Sequence, residues 1–283
     1  MRIIENLVFK GGGVLGITYA GAIEVLSEKK LLDNVKRVAG TSAGSIVATL
    51  LSLRYSASEI TTLVKTTPFK KFEDHWNPLR IPAEYGLYAG DYFLSWIKNI
   101  IREKTGNENI TFAEMSAAGF RDLKVFASDL NIMGIREFSN EKTPGVIVAE
   151  SIRASMSIPL FFKAWKFPNN NPNDHIYVDG GVLYNYPITA FDNYDETLGF
   201  FIKFEEEQSD LKYDEIITYV KTLFNTLLNA QDIDFYKNKS EEEITVTISN
   251  LGISVTDFEI TEQQKEQLFS EGKQATLKYI EEM

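Results

Sequence analysis

The chain has 283 residues, of which 44% are apolar and 24% charged, values that exclude a disordered or fibrous protein and leave room for one large core. Twenty-nine basic residues against 40 acidic ones give a net charge of −11 with no basic stripe to offset it, which excludes nucleic acid as a partner. Zero cysteines and only two histidines, His75 and His175, exclude a disulfide framework, a thiol nucleophile and a histidine-rich metal site.

Residues 7–9 are a short β-prone run ending in Gly11-Gly12-Gly13, after which Ile17, Ala20, Ile23 and Val25-Leu26 keep helical spacing. Residues 35–39 predict a second strand, closed by Gly40-Thr41-Ser42-Ala43-Gly44, and residues 46–53 a buried helix. Strand, glycine turn, helix, strand, tight turn and helix predict the α/β class, a three-layer α/β/α fold with a mainly parallel central sheet. Residues 68–90 break the rhythm with Pro68, Pro78, Pro82, Gly86 and Gly90 among five aromatic side chains. That stretch is too long and aromatic for an ordinary connection, so a surface loop or lid is expected over about 66–100. Asp91 reads as the cap of the helix that follows. Further strands are expected at 123–127, 176–178, 197–204 and 244–248, and helices at 146–156, 211–235 and from Glu262. No repeat or linker divides residues 1–283, so one domain is expected. No run approaches the ~18 apolar residues that span a bilayer, and the first ten residues, with Glu5 among them, do not read as a signal peptide. A cytoplasmic protein is expected.

Gly11, Gly13 and Gly16 satisfy G-x-G-x-x-G between a strand and a helix. A dinucleotide fold also wants an acidic residue closing the second strand, and here that strand ends in Gly40-Thr41-Ser42. Ile17 stands where a P-loop needs Lys. What remains is a nest of backbone N–H groups at a helix N-terminus, able to hold a developing oxyanion; a nucleotide phosphate and a packing turn are the other readings.

Gly40-Thr41-Ser42-Ala43-Gly44 is G-x-S-x-G, the sharp strand-to-helix turn that exposes a nucleophilic hydroxyl and needs neighbours without side chains. The alternative is a serine that merely caps its helix. Neither histidine is well placed to activate it, and both read as surface or packing residues. Asp179-Gly180-Gly181 offers a carboxylate at the end of an apolar strand, followed by two glycines that permit close approach; an ordinary Asp-Gly turn is the alternative. A carboxylate of ordinary pKa near 4 is a feeble base, so such a group has to be desolvated and set against Ser42.

The ordered set Gly11-Gly12-Gly13-Val14-Leu15-Gly16, Gly40-Thr41-Ser42-Ala43-Gly44 and Asp179-Gly180-Gly181 resembles the patatin-like phospholipases. Gly86-Leu87-Tyr88-Ala89-Gly90-Asp91, Ser128-Asp129-Leu130-Asn131, the run from Ile152 to Pro159, Asn185-Tyr186-Pro187-Ile188 and residues 252–258 look like further segments of that family. The resemblance implies a patatin-like fold and a lipid acyl hydrolase working through a Ser–Asp dyad without histidine. It implies Ser42 as nucleophile, Asp179 as general base and the N–H groups of Gly11, Gly12 and Gly13 as oxyanion hole, with Gly16, Gly40, Gly44, Gly180 and Gly181 as motif glycines. It implies no metal and no cofactor, a phospholipid or other acyl-lipid substrate, and peripheral membrane contact. Leu15 departs from the pattern, since many members carry Arg or Lys there. A catalytically idle lipid- or partner-binding member and a nucleotide-binding protein are the alternatives. Arg153 and Asp129 are expected to be structural, and the runs Glu205-Glu206-Glu207 and Glu241-Glu242-Glu243 to be solvated.

Overall fold

A computed structural model describes residues 2–204 and 215–283. The elements are β1 (Asn6–Phe9), α1 (Ile17–Glu28), β2 (Arg37–Thr41), α2 (Ala43–Ser52), α3 (Ala57–Thr66), α4 (Ile81–Glu84), β3 (Gly86–Tyr88), α5 (Asp91–Thr105), α6 (Phe112–Ala117) and β4 (Asp122–Asp129). They continue with β5 (Gly134–Phe138), α7 (Val148–Ser155), β6 (Leu160–Phe162), β7 (Tyr177–Asp179), β8 (Thr197–Lys203), α8 (Ile216–Phe235), α9 (Lys239–Glu243), β9 (Thr245–Ser249) and α10 (Glu262–Glu282).

Every residue of β1, Asn-Leu-Val-Phe, is buried, as befits a parallel strand covered on both faces. It pairs in parallel with β2 and β8, so that Phe9 faces Gly40 on one side and Phe200 on the other. Parallel pairing extends from β2 to β4 and from β8 to β9, giving the order β5-β4-β2-β1-β8-β9. Period-two alternation sorts the side chains: Leu7, Phe9, Val38 and Phe200 join the main core, while Val8, Ala39 and Phe126 pack beneath Ile188 and Phe191 on the opposite face. The α/β class and the mainly parallel sheet with helices on both sides are therefore those the sequence predicts.

The antiparallel strands build the site. Strand β5 covers one edge of β4 from Val125 to Asp129. On the other edge β2 pairs with residues as far as Phe126, and β7 takes over from Ala127 to Asp129, running the opposite way. The strand foreseen near 176–178 is thus no member of the parallel set. It approaches β2 head-on, so the last residue of each points at the same stretch of β4.

The aromatic segment also differs from a plain loop. Within it β3 pairs in parallel with β6, Gly86 opposite Leu160 and Tyr88 opposite Phe162. Phe72 is buried among the rings of Phe93, Trp96 and Phe258, whereas Trp76, Leu79 and Tyr85 remain exposed. Asp91 does not cap α5. The preceding turn at Gly90 is held instead by Asp74, whose carboxylate accepts from the N–H of Gly90 (2.6 Å) and of Tyr92 (2.7 Å). Glu205-Glu206-Glu207 and the expected start of the helix at 211 lie outside the described residues. Among the described residues no helix is long and apolar enough to cross a membrane.

Candidate active site

Ser42 occupies the joint between β2 and α2 with φ 51° and ψ −126°, backbone angles that side chains other than glycine's adopt only under constraint. The constraint comes from packing on both flanks. A Cβ on Gly40 would collide with the Gly44 carbonyl, and one on Gly44 would collide with the Phe9 carbonyl. The turn is anchored by Ser155, which accepts from the Ser42 N–H at 2.8 Å and donates to Phe126 O at 2.6 Å. Although Ser42 holds the cap position of α2, its side chain caps nothing. Its hydroxyl donates to Asp179 Oδ2 at 2.8 Å, with Met156 Sδ 3.4 Å away.

Asp179 has no exposed surface. Its second oxygen accepts the Gly181 N–H at 2.7 Å, while its own N–H and carbonyl bond to Ser157 O and Ser128 Oγ. Burial pushes the carboxyl from an ordinary 3.8 up to about 7, because removing the anion from water outweighs the bonds from Gly181 and Ser42. No cation pairs with it among the described residues, so desolvation alone accounts for the rise. Gly180 allows the chain to turn directly beneath β4, where a Cβ would collide with the Phe126 carbonyl.

In the glycine loop, the Gly11 N–H donates to Asn185 O at 2.9 Å and is committed within the fold. The N–H groups of Gly12 and Gly13 have no partner among the described residues. Gly13 has φ +53° and lies against Val255, whose carbonyl accepts the Val14 N–H at 3.1 Å; this is how the 252–258 segment supports the loop. Gly16 ends the short turn that follows, next to Ala43. A narrow apolar cleft adjoins the loop, lined by Gly13, Gly16 and Ala43 together with Val64, Phe69 and Trp96.

Several supporting residues carry no local sequence signal. Helix α8 lies over the Asp179 turn: Gln231 Nε2 donates to Gly181 O at 2.5 Å, and its Oε1 accepts the Asn185 N–H at 2.9 Å. Immediately before the glycine loop, Lys10 is fully buried, bonding to Asp232 of α8 at 2.7 Å and Ile202 O at 2.8 Å over the Phe201 ring. Burial lowers the Lys10 ammonium to about 8 and raises the Asp232 carboxyl, in each case against the pull of its partner. A lone lysine before three glycines suggests nothing about its partner 222 positions away.

Neither histidine bonds to Ser42 or Asp179. His175 Nδ1 lies 2.9 Å from Asp129, which also pairs with Arg136 at 3.0 Å. Burial opposes ionisation of Asp129, but His175 and Arg136 outweigh it and hold the carboxyl below its usual range. His75 is exposed and stands near Asp74 and Asp91, a trio whose ligand atoms fall within 4.8 Å of one another, but the Asp74 oxygens serve the α5 turn. Arg153 is buried and donates to Ser157 Oγ, Ala89 O and Lys163 O, with its guanidinium lowered to about 10 by burial.

The family model of the patatin-like phospholipases matches residues 7–192. An uncharacterized protein of Acanthamoeba polyphaga mimivirus is 31% identical over 98% of this chain and 95% of its own length. A probable lipid hydrolase of Invertebrate iridescent virus 6 is 30% identical, over 80% of this chain and 72% of its own. Among solved structures, VipD from Legionella pneumophila superimposes with a TM-score of 0.71 at 15% identity, across 99% of this chain and 67% of that one, a likeness of fold.

Proposed function

The chain belongs to the patatin-like phospholipase family, and from that premise we propose that it is a serine lipid acyl hydrolase of the phospholipase A or lysophospholipase type. The observation that carries the mechanism is the 2.8 Å bond from Ser42 Oγ to a buried carboxylate raised to about 7. Asp179 takes the Ser42 proton as Oγ attacks the ester carbonyl. The oxyanion is received by the Gly12 and Gly13 N–H groups, the remaining two of the three glycines first expected. As the carbonyl re-forms, the C–O bond to the leaving alcohol breaks and Asp179 returns the proton to that alcohol. Water then gives its proton to Asp179 as its oxygen attacks the acyl-enzyme; the C–Oγ bond breaks, Asp179 returns that proton to Ser42 Oγ, and the fatty acid leaves with both groups restored.

The apolar cleft beside Gly13 and Ala43 suits an acyl chain, and residues 66–100 supply Thr67, Phe69 and Trp96 to its wall, consistent with a covering role for that segment. Helix α8, bonded to the catalytic turns on its inner face, exposes Ile216, Tyr219, Leu223 and Leu227 on its outer face. Those four recur at helical spacing with no acidic or basic residue between Lys221 and Asp232, and support a lipid surface as the partner met next to the site.

Incubation with mixed-lipid vesicles, followed by mass spectrometry of both products and protein, tests the proposal. It predicts free fatty acid and an acyl adduct on Ser42, both absent from Ser42→Ala. Fatty acid release by a folded Ser42→Ala protein contradicts it.

A further inference from the structure

Asn185 is 1% exposed, yet neither Oδ1 nor Nδ2 of its carboxamide has a hydrogen-bond partner. Its backbone, by contrast, is fully engaged, accepting from Gly11 N–H and donating to Gln231 Oε1 at 2.9 Å each. The main chain therefore fixes the residue, and the side chain could be apolar without loss of any bond. Buried unpaired amides are costly and uncommon, so a retained one calls for a ligand that is met only during function.

The surroundings identify that ligand. Asn185 Oδ1 abuts the α-carbon of Gly11 on the side that also faces Ser42 Cβ. It equally abuts Gly181, beside Asp179 Oδ1. The carboxamide thus stands between the nucleophile, the base and the glycine loop, and its oxygen and nitrogen exchange places by a rotation of the amide. Ser42 is itself only 4% exposed, so the opening that admits an ester to its hydroxyl brings the ester to Asn185 as well.

Resting on the hydrolase reading above, we infer that Asn185 is a further catalytic residue, donating from Nδ2 to the tetrahedral oxyanion formed on Ser42. It replaces as donor the Gly11 N–H, which is committed to the Asn185 carbonyl. The site then has one side-chain donor beside two main-chain ones.

The test is the rate at which a fluorophosphonate, whose P=O mimics the oxyanion, labels Ser42 in the wild type, Asn185→Leu and Asn185→Ala, alongside the Tm of each. Both variants should label about 10²-fold more slowly, the usual cost of one such donor. Asn185→Leu, matched in shape and free of orphaned polar atoms, should melt no lower than the wild type. Labelling within twofold of the wild type by either folded variant overturns the inference, as does a Leu variant that melts well below the wild type, the mark of a purely structural amide. A wild type that fails to label at all brings down the hydrolase reading and this inference with it, an outcome distinct from equal labelling of all three.

Discussion

Asp179 Oδ2 accepts from Ser42 Oγ at 2.8 Å although the two strands that deliver them run in opposite directions along one edge of β4. The pairing Thr41 to Phe126 and Asp179 to Ala127 puts the ends of β2 and β7 on adjacent positions of one strand. A serine and a carboxylate separated by 137 positions are thereby brought into contact by register alone.

The raised carboxyl has a consequence for stability whose sign is fixed. A folded value of about 7 against an ordinary 3.8 means that the folded protein holds the proton more tightly than the unfolded chain. The contribution is fully present below about pH 4 and lost as pH rises through 7. Asp179→Asn removes that loss, so at pH 8 it should be more stable than the wild type by on the order of a few kcal/mol, and near pH 4 no more stable. Urea unfolding at the two pH values checks this.

Ser42 carries backbone strain at φ 51°, so removing its side chain altogether should relieve it. Ser42→Gly and Ser42→Ala should both be inactive, with the glycine variant the more stable by roughly 1 kcal/mol. Thermal unfolding of the pair reads the difference.

Ser155 holds the elbow through Ser42 N–H and Phe126 O. Ser155→Ala leaves a buried N–H unpaired and should cost about 1–3 kcal/mol. Because the nucleophile loses its anchor while the cleft is untouched, kcat should fall with KM little changed.

Lys10 and Asp232 join the strand before the glycine loop to α8 in a buried pair. Asp232→Asn strands the cation and should destabilise the protein by about 3 kcal/mol or more, while Lys10→Met combined with Asp232→Leu should recover most of that loss. Denaturant midpoints of the three variants decide it.

The outer face of α8 is expected to matter only when the substrate is presented on a surface. Leu223→Ser combined with Leu227→Ser should reduce hydrolysis of vesicle lipid severalfold and leave hydrolysis of a soluble short-chain ester unchanged. Equal loss on both substrates would argue against a docking face.

The parts legible in the sequence are those where a local pattern has a local cause. Apolar runs closed by glycines mark β1 and β2, and the crowding that demands Gly40 and Gly44 acts within or next to the turn itself. The direction of β7 was hidden, because three residues, Tyr177, Val178 and Asp179, read alike in a parallel or an antiparallel strand. So was β5, whose residues are largely half-exposed and lack an apolar run. Gln231 and Asp232 meet Asn185 and Lys10 across long sequence separations, and a single polar residue announces no distant partner; Ser155 and Asn185 lie in segments the family resemblance marks, but nothing local names what they bond. The glycine loop was legible as a nest but not in its allotment of donors, since the carbonyl that occupies Gly11 belongs to residue 185.

The most direct measurement is the pH dependence of Ser42 phosphonylation in the wild type, Asp179→Asn and the combined His75→Ala, His175→Ala variant. The wild-type rate should rise with pH through an inflection near 7 and then level off. The histidine variant should follow the same curve, and Asp179→Asn should be slower by about 10³-fold or more with the inflection gone. An inflection that survives in Asp179→Asn, or one that disappears with the histidines, would contradict a base made from a carboxylate and burial alone.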